Sequence, residues 1–123
     1  MTAEHKPRAL SVLIVEDDAT TRCALVRLLA LLGYNPVPVA TIAESLELLD
    51  GQDCAIIDLD LPDGVGTTVM SRIVDEHRPI RVAVASGTTN TGLMSEARRL
   101  HAELILRKPI DVNELLNWLD RAG

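Results

Sequence analysis

Ala55-Ile56-Ile57-Asp58-Leu59-Asp60-Leu61-Pro62-Asp63-Gly64-Val65-Gly66 is the stretch on which the reading of the fold turns. Apolar residues lead without a break to a carboxylate, and within a few positions Pro62, Gly64 and Gly66 turn the backbone. A continuous apolar run of this kind suits a strand buried on both faces of a parallel sheet. Asp58, its first charged residue, then lies where the strand leaves the core. In open α/β sheets the carboxyl ends of the strands border the crevice in which ligands bind. Taken alone, Asp58 also reads as an ordinary strand-terminating acid beside a turn.

Working outward, the same pattern recurs on both sides. Ser11-Val12-Leu13-Ile14-Val15 is a short buried strand that ends in Glu16-Asp17-Asp18. Asp18 can cap a helix that carries Thr20 and Thr21 in its first turn, with Leu25, Leu28, Leu29 and Leu32 at helical spacing and Gly33 to stop it. Pro36-Val37-Pro38-Val39 is a strand that two prolines confine to the sheet edge. Thr41-Ile42-Ala43-Glu44 has capping-box spacing and opens a helix with Ile42, Leu46 and Leu49 inward, closed at Asp50-Gly51. After Gly66 a helix turns Val69, Met70, Ile73 and Val74 inward until Pro79 breaks it.

Ile80 to Ala85 is the fourth strand and ends at Ser86-Gly87-Thr88. A helix from about Asn90 to His101 buries Leu93, Met94, Ala97 and Leu100. Glu103 to Arg107 is the fifth strand, followed by Lys108-Pro109. Asp111 to Glu114 caps a last helix with Val112, Leu115, Leu116 and Leu119 inward. That register turns Trp118 away from the core, to shield a loop or to act as a contact residue. Five strands alternating with five helices predict one doubly wound α/β domain over 10–123, its sheet parallel because crossovers are right-handed.

Composition narrows the function. Of 123 residues 47% are hydrophobic, Phe is absent and there are one Tyr and one Trp, so aliphatic side chains must build the core. Twelve basic against eighteen acidic residues leave a net charge of −6, which argues against direct binding of nucleic acid or an anionic membrane and is compatible with a cation or a basic partner. Cys23 and Cys54 lack metal-ligand spacing and read as reduced core residues. Residues 1–9 are polar, without the apolar segment of a signal peptide, and read as a flexible tail. No apolar run reaches membrane-spanning length, so a cytoplasmic protein is expected. His5, His77 and His101 read as surface residues, and Gly64-Val65-Gly66 lacks the third glycine of a dinucleotide fingerprint.

The fold gathers what the strands carry at their carboxyl ends: Glu16 and Asp17, then Asp58, Ser86 and Lys108. Clustered acids share protons or hold a cation. An all-oxygen group suits Mg²⁺, while Zn²⁺ is disfavoured with no His or Cys nearby. A carboxylate beside such a metal points to a nucleophile towards phosphorus, with Lys108 and the Ser86 hydroxyl neutralising the phosphoryl oxygens.

Leu13-Ile14-Val15-Glu16-Asp17-Asp18, Asp58-x-x-Leu61-Pro62-x-x-x-Gly66, Ala85-Ser86-Gly87 and Lys108-Pro109 together resemble the receiver domain of the bacterial two-component response regulators, the CheY-like family. The resemblance spans essentially the whole chain. It implies a flavodoxin-like sheet of order 2-1-3-4-5, an order that comes from the family and not from the residues. It also implies that Asp58 is the phosphoacceptor, that Glu16, Asp17, Asp58 and the backbone carbonyl of Asp60 bind Mg²⁺, that Ser86 is the switch hydroxyl and that Lys108 pairs with a phosphoryl oxygen. The 108–109 peptide is expected to be cis. Ile105 stands where the family usually has the aromatic switch residue, and Asp60 and Thr88 occupy the positions that tune dephosphorylation.

By the same resemblance the partners are a sensor histidine kinase or phosphotransfer protein and a downstream protein. The latter, or a second copy, would be met on the face of the fourth helix, fifth strand and fifth helix, where Trp118 is the contact residue suggested. Two alternatives stand beside this phosphorylation switch, which would catalyse only its own phosphorylation and dephosphorylation. One is a haloacid-dehalogenase-like phosphatase, with Asp58-x-Asp60, Ser86 and Lys108 as its motifs. The other is a receiver-like scaffold that is never phosphorylated.

Overall fold

All five residues of β1 (Ser11–Val15) and of β3 (Cys54–Asp58) are buried, as continuous apolar runs between two helical layers require. These strands lie at the centre of a computed structural model that describes residues 9–87 and 89–121. With β2 (Asn35–Val39), β4 (Arg81–Ser86) and β5 (Leu104–Arg107) they form one parallel sheet of order β2-β1-β3-β4-β5. The helices are α1 (Ala19–Leu31), α2 (Ile42–Glu47), α3 (Thr67–Asp75), α4 (Thr91–Arg99) and α5 (Val112–Asp120). The strand order and the alternation match the expected doubly wound domain, with Pro36 and Pro38 on the edge strand.

The period-two alternation of side chains sorts the core into two layers. Leu13, Val15, Ala55, Ile57, Val82 and Val84 face one side, where they meet Ile42 of α2, Val69, Met70 and Ile73 of α3 and Ala97 of α4. Val12, Ile14, Cys54, Ile56, Ala83, Ala85 and Leu106 face the other, against Leu25 and Leu29 of α1 and Leu115, Trp118 and Leu119 of α5. Burying such an aliphatic side chain is worth roughly 1.5–3 kcal/mol, so these two layers supply the main drive to fold.

Helix ends follow the local chemistry. Asp18, Thr41, Asn90 and Asp111 each accept a backbone amide of the first turn they precede. At α2 the side chain of Glu44 accepts the amide of Ala40 at 3.0 Å, one residue before the cap. The α3 helix stops four residues before Pro79, because His77 takes the left-handed conformation at φ 52° and the amide of Arg78 donates back to the carbonyl of Ile73 at 3.0 Å. His101, at φ 73°, closes α4 in the same way.

Four expectations are corrected. Trp118 is only 3% exposed: the inward face of α5 runs through Leu115, Trp118 and Leu119, and the indole Nε1 donates to Glu103 Oε1 at 3.0 Å. The Arg81 guanidinium lies over its ring at 5.2 Å. A polar partner for the indole at the foot of β5 is what lets a tryptophan enter the core there. Val112, at the start of α5, is correspondingly exposed, and Leu32, past the end of α1, is half exposed. Cys54 is buried but Cys23 lies on the outer face of α1. Residues 1–8 of the expected tail, and Thr88, lie outside the described residues.

Candidate functional site

The carboxyl edge of the sheet collects its polar groups because each strand there runs out of apolar sequence. Glu16 directly follows β1 and is 3% exposed. Its amide donates to the carbonyl of Val39 at 3.0 Å, and its Oε2 accepts the amide of Asp18 at 3.1 Å. Asp17 is exposed at the rim. Asp58, the last residue of β3, is 3% exposed and accepts the amide of Asp60 on Oδ1 at 2.9 Å. Ser86 ends β4, buried, and its carbonyl accepts the amide of Lys108 at 3.0 Å.

Lys108 closes the cluster from the far side of the sheet. Its Nζ lies 2.9 Å from Asp58 Oδ2 and 2.9 Å from Glu16 Oε1. The Lys108–Pro109 peptide is cis, as expected. Residues separated by up to 92 positions in sequence are thereby joined in one hydrogen-bonded group. Burial pulls the Lys108 ammonium towards losing its proton, but the hydrogen bonds to Asp58 and Glu16 outweigh it, and its pKa stands above the ordinary lysine value. Burial pushes the Glu16 carboxyl up, opposed by Lys108 and the amide of Asp18 and reinforced by the charge on Asp58.

Carboxylate oxygens of Glu16, Asp17 and Asp58 lie within 4.8 Å of one another. Three carboxylates with no imidazole or thiolate form a hard, all-oxygen donor set, which fits Mg²⁺ with part of its water shell retained. One edge of this cluster opens to solvent through Asp17, as a ligand that arrives from outside needs.

The loop after Asp58 is tightly built. The amide of Leu59 donates to Ala85 at 3.0 Å and that of Gly66 to the carbonyl of Leu59 at 2.9 Å, around a two-residue antiparallel ladder of Asp60–Leu61 with Gly64–Val65. A Cβ on Gly66 would stand 2.2 Å from the Asp58 carbonyl oxygen. Only glycine lets the start of α3 approach the strand end so closely. Ile105 is half-buried in β5 opposite Val84 and packs on the core layer of α2, α3 and α4.

Two contacts to this rim were not anticipated. Arg22 Nη1 donates to the carbonyls of Glu16 at 2.8 Å and Asp17 at 3.2 Å. Its sequence signal is slight, an arginine one helical turn after the Asp18 cap. Asp63 accepts the amides of Ile42 at 2.9 Å and Ala43 at 3.1 Å, which pins the loop after β3 to the start of α2. In sequence Asp63 is indistinguishable from a turn former between Pro62 and Gly64.

Comparison with known proteins agrees over the same span. The family model for the response regulator receiver domain matches residues 12–120. The chain is 35% identical over 107 residues to Regulator of RpoS from Escherichia coli, covering 85% of this chain and 32% of that protein. It is 31% identical over 107 residues to a cyclic di-GMP phosphodiesterase from Thermotoga maritima, covering 87% of this chain and 29% of that protein. The chain thus spans about a third of the length of these two relatives. Among solved structures, the signal receiver domain of an HD domain-containing protein from Pseudomonas fluorescens superposes with a TM-score of 0.89 at 25% identity, covering 99% of this chain and 92% of that one.

Proposed function

Because the chain belongs to the response regulator receiver domain family, we propose that it is a phosphorylation-dependent signalling switch in which Asp58 accepts a phosphoryl group from a histidine kinase or phosphotransfer protein. The observation that carries this reading is the bridge from Lys108 Nζ to Asp58 Oδ2 and Glu16 Oε1, each 2.9 Å long, beside a third carboxylate. An Asp58 oxygen attacks phosphorus as the phosphorus–nitrogen bond of a phosphohistidine breaks, and the electron pair leaves with the imidazole. Lys108 then transfers its hydrogen bond from the carboxylate to a phosphoryl oxygen, and the Ser86 hydroxyl donates to another. Magnesium held by Glu16, Asp17 and Asp58, with the Asp60 carbonyl, would neutralise charge on the transferring group.

By the family pattern, Asp60 and Thr88 are the residues proposed to set the lifetime of the aspartyl phosphate. With Ile105 in place of an aromatic, the response to the Ser86 hydroxyl passes through an aliphatic contact. The reader of the phosphorylated state would dock on the α4–β5–α5 face through exposed groups such as Arg98 and Arg107, and not through the buried Trp118. Among the described residues no helix is long and apolar enough to cross a membrane, in keeping with the cytoplasmic setting proposed for the switch.

The test is incubation with Mg²⁺ and acetyl phosphate, read as a mass gain of one phosphoryl group. Hydroxylamine should remove the adduct and Asp58→Asn should abolish it. Stoichiometric labelling with slow loss is the expected result. Rapid multiple turnover of phosphate esters would replace the switch by a phosphatase. No adduct from any donor, the cognate kinase included, would leave a scaffold.

A further inference from the structure

We propose that Arg22 is a positioning residue for the acid pair of the metal site, an assignment that rests on the Mg²⁺ reading above. Arg22 lies in the first turn of α1, where its amide donates to the carbonyl of Asp18 at 2.9 Å. Side chains on a helix lean towards its N-terminus, and this one runs back to the loop that precedes the helix. There a single Nη1 donates to two successive carbonyls, Glu16 at 2.8 Å and Asp17 at 3.2 Å.

Those carbonyls belong to the residues whose carboxylates meet Asp58. The remaining ties of the loop hold its amides and carboxylates, among them the Lys108 bridge to Glu16 Oε1 at 2.9 Å. The amide of Glu16 is held by Val39, the amide of Asp18 by the Glu16 carboxylate, and the Asp18 carboxylate by the amide of Thr21 at 2.9 Å. None of these uses the carbonyl of Glu16 or of Asp17 as acceptor, so they leave both carbonyls unrestrained, and Asp17 stands exposed at the rim. The guanidinium supplies that restraint, through charge-assisted bonds to carbonyls that have left the sheet ladder. It orients the Glu16–Asp17 backbone so that both carboxylates point at one place.

The two ways in which Arg22 can act on a bound cation have opposite signs. As a bare positive charge near three carboxylates it repels Mg²⁺, and its removal tightens binding. As an orienting donor it preorganises the ligands, and its removal weakens binding. Partners in the outer shell of a metal site commonly change affinity by 10- to 100-fold, so we assign the orienting role as the larger.

The experiment follows the amide resonances of residues 58–60 of the whole chain during titration with Mg²⁺, for the parent and for Arg22→Gln, Arg22→Met, Arg22→Lys and Arg27→Gln. Arg22→Met keeps the aliphatic stem, so loss of packing is separated from loss of the donor. Arg27→Gln removes an equal charge from the exposed face of the same helix. The dissociation constant is expected to rise on the order of 10-fold for Arg22→Gln and Arg22→Met. It should recover in part with Arg22→Lys and stay within about two-fold of the parent for Arg27→Gln, a distant, solvent-screened charge. Thermal melts identify variants that remain folded at the titration temperature, where a purely structural role leaves the constant unmoved. Unchanged or tighter Mg²⁺ binding in either folded variant lacking the guanidinium overturns the assignment while the metal site stands. No saturable Mg²⁺ response in the parent overturns the metal reading itself, and the assignment with it.

Discussion

Replacing Gly66 by alanine isolates how closely the acceptor loop is packed. Gly66 has φ −61° and ψ −21°, ordinary right-handed values, so alanine carries no conformational penalty and the whole effect is steric. Its Cβ would stand 2.2 Å from the carbonyl oxygen of Asp58 and 2.8 Å from Ile57 Cγ2. Carbon–oxygen contacts settle at roughly 3.3 Å, so the start of α3 must retreat by about 1 Å from the end of β3. The obstacle is mostly backbone, which places the cost at the upper end of overpacking, about 3 kcal/mol. Gly51→Ala is the control: φ is +81° there but nothing lies within 4 Å of the added carbon, so only the left-handed strain of about 1–2 kcal/mol applies. Urea unfolding followed by the fluorescence of Trp118, the only tryptophan, should rank Gly66→Ala below Gly51→Ala. Acetyl phosphate labelling supplies the second measurement, because a shift of about 1 Å at a reacting group can cost on the order of 10²-fold in rate. Equal stability of the two variants, with Gly66→Ala labelled at the parental rate, would refute the argument that this close approach sets the geometry of Asp58.

Other outcomes follow from groups away from the reacting atoms. Burial pushes the Cys54 thiol from 9.0 up to about 11, so only Cys23 should react with a thiol reagent in the folded chain at pH 8, and both in denaturant. Because folding favours the protonated thiol, that contribution is complete below the unfolded value near 9 and declines as pH rises towards 11, by up to about 2–3 kcal/mol; urea midpoints across this range that show no such decline would count against it. Trp118→Ala should cost about 3–5 kcal/mol, whereas Trp118→Phe should cost less, since Glu103 keeps its bond to Arg81; equal urea midpoints for the two would mean that the indole is not in the core. Asp63 is held below the usual carboxylate range chiefly by the amide of Ile42, with that of Ala43 adding to it. Its contribution is therefore present above the unfolded carboxylate value and lost as pH falls through the folded one, so Asp63→Ala should lower the urea midpoint at pH 7 and by progressively less as pH falls below the ordinary carboxylate range.

The parts of this fold that can be read from residues are those in which one local pattern has one solution. Ser11–Val15 and Cys54–Asp58 are apolar on both faces, and such short runs have no home but the middle of a parallel sheet. The site followed from the fold, because Glu16, Asp17, Asp58, Ser86 and Lys108 each sit where a strand loses its apolar character. Trp118 did not follow. Residues 112, 115, 116 and 119 and residues 115, 118 and 119 are both helical stripes, and the choice between them depends on Glu103, just before β5, and Arg81 of β4 offering a place for the indole. Arg22 and Asp63 were hidden for a related reason: each acts on backbone atoms of another segment, which side-chain periodicity does not register.

The charge balance of the rim bears on the cation proposed for this site. Lys108 is one ammonium set against the carboxylates of Glu16 and Asp58, both nearly inaccessible to water, with the exposed Asp17 beside them. Removing carboxylates from water costs several kcal/mol for each ion unless pairing and hydrogen bonds offset it. Here Asp58 is served by Lys108 and the amide of Asp60, and Glu16 by Lys108 and the amide of Asp18. One ammonium is shared by the two buried carboxylates, and burial raises the Glu16 pKa, with the charge on Asp58 adding to it. Even with the Arg22 guanidinium on the Glu16 and Asp17 carbonyls, the three carboxylates outnumber the cationic side chains beside them. A chain selected for stability alone would place apolar residues at the ends of β1 and β3. Keeping Glu16 and Asp58 there accepts a weaker fold in return for a pocket whose electrostatics are completed only by its ligands.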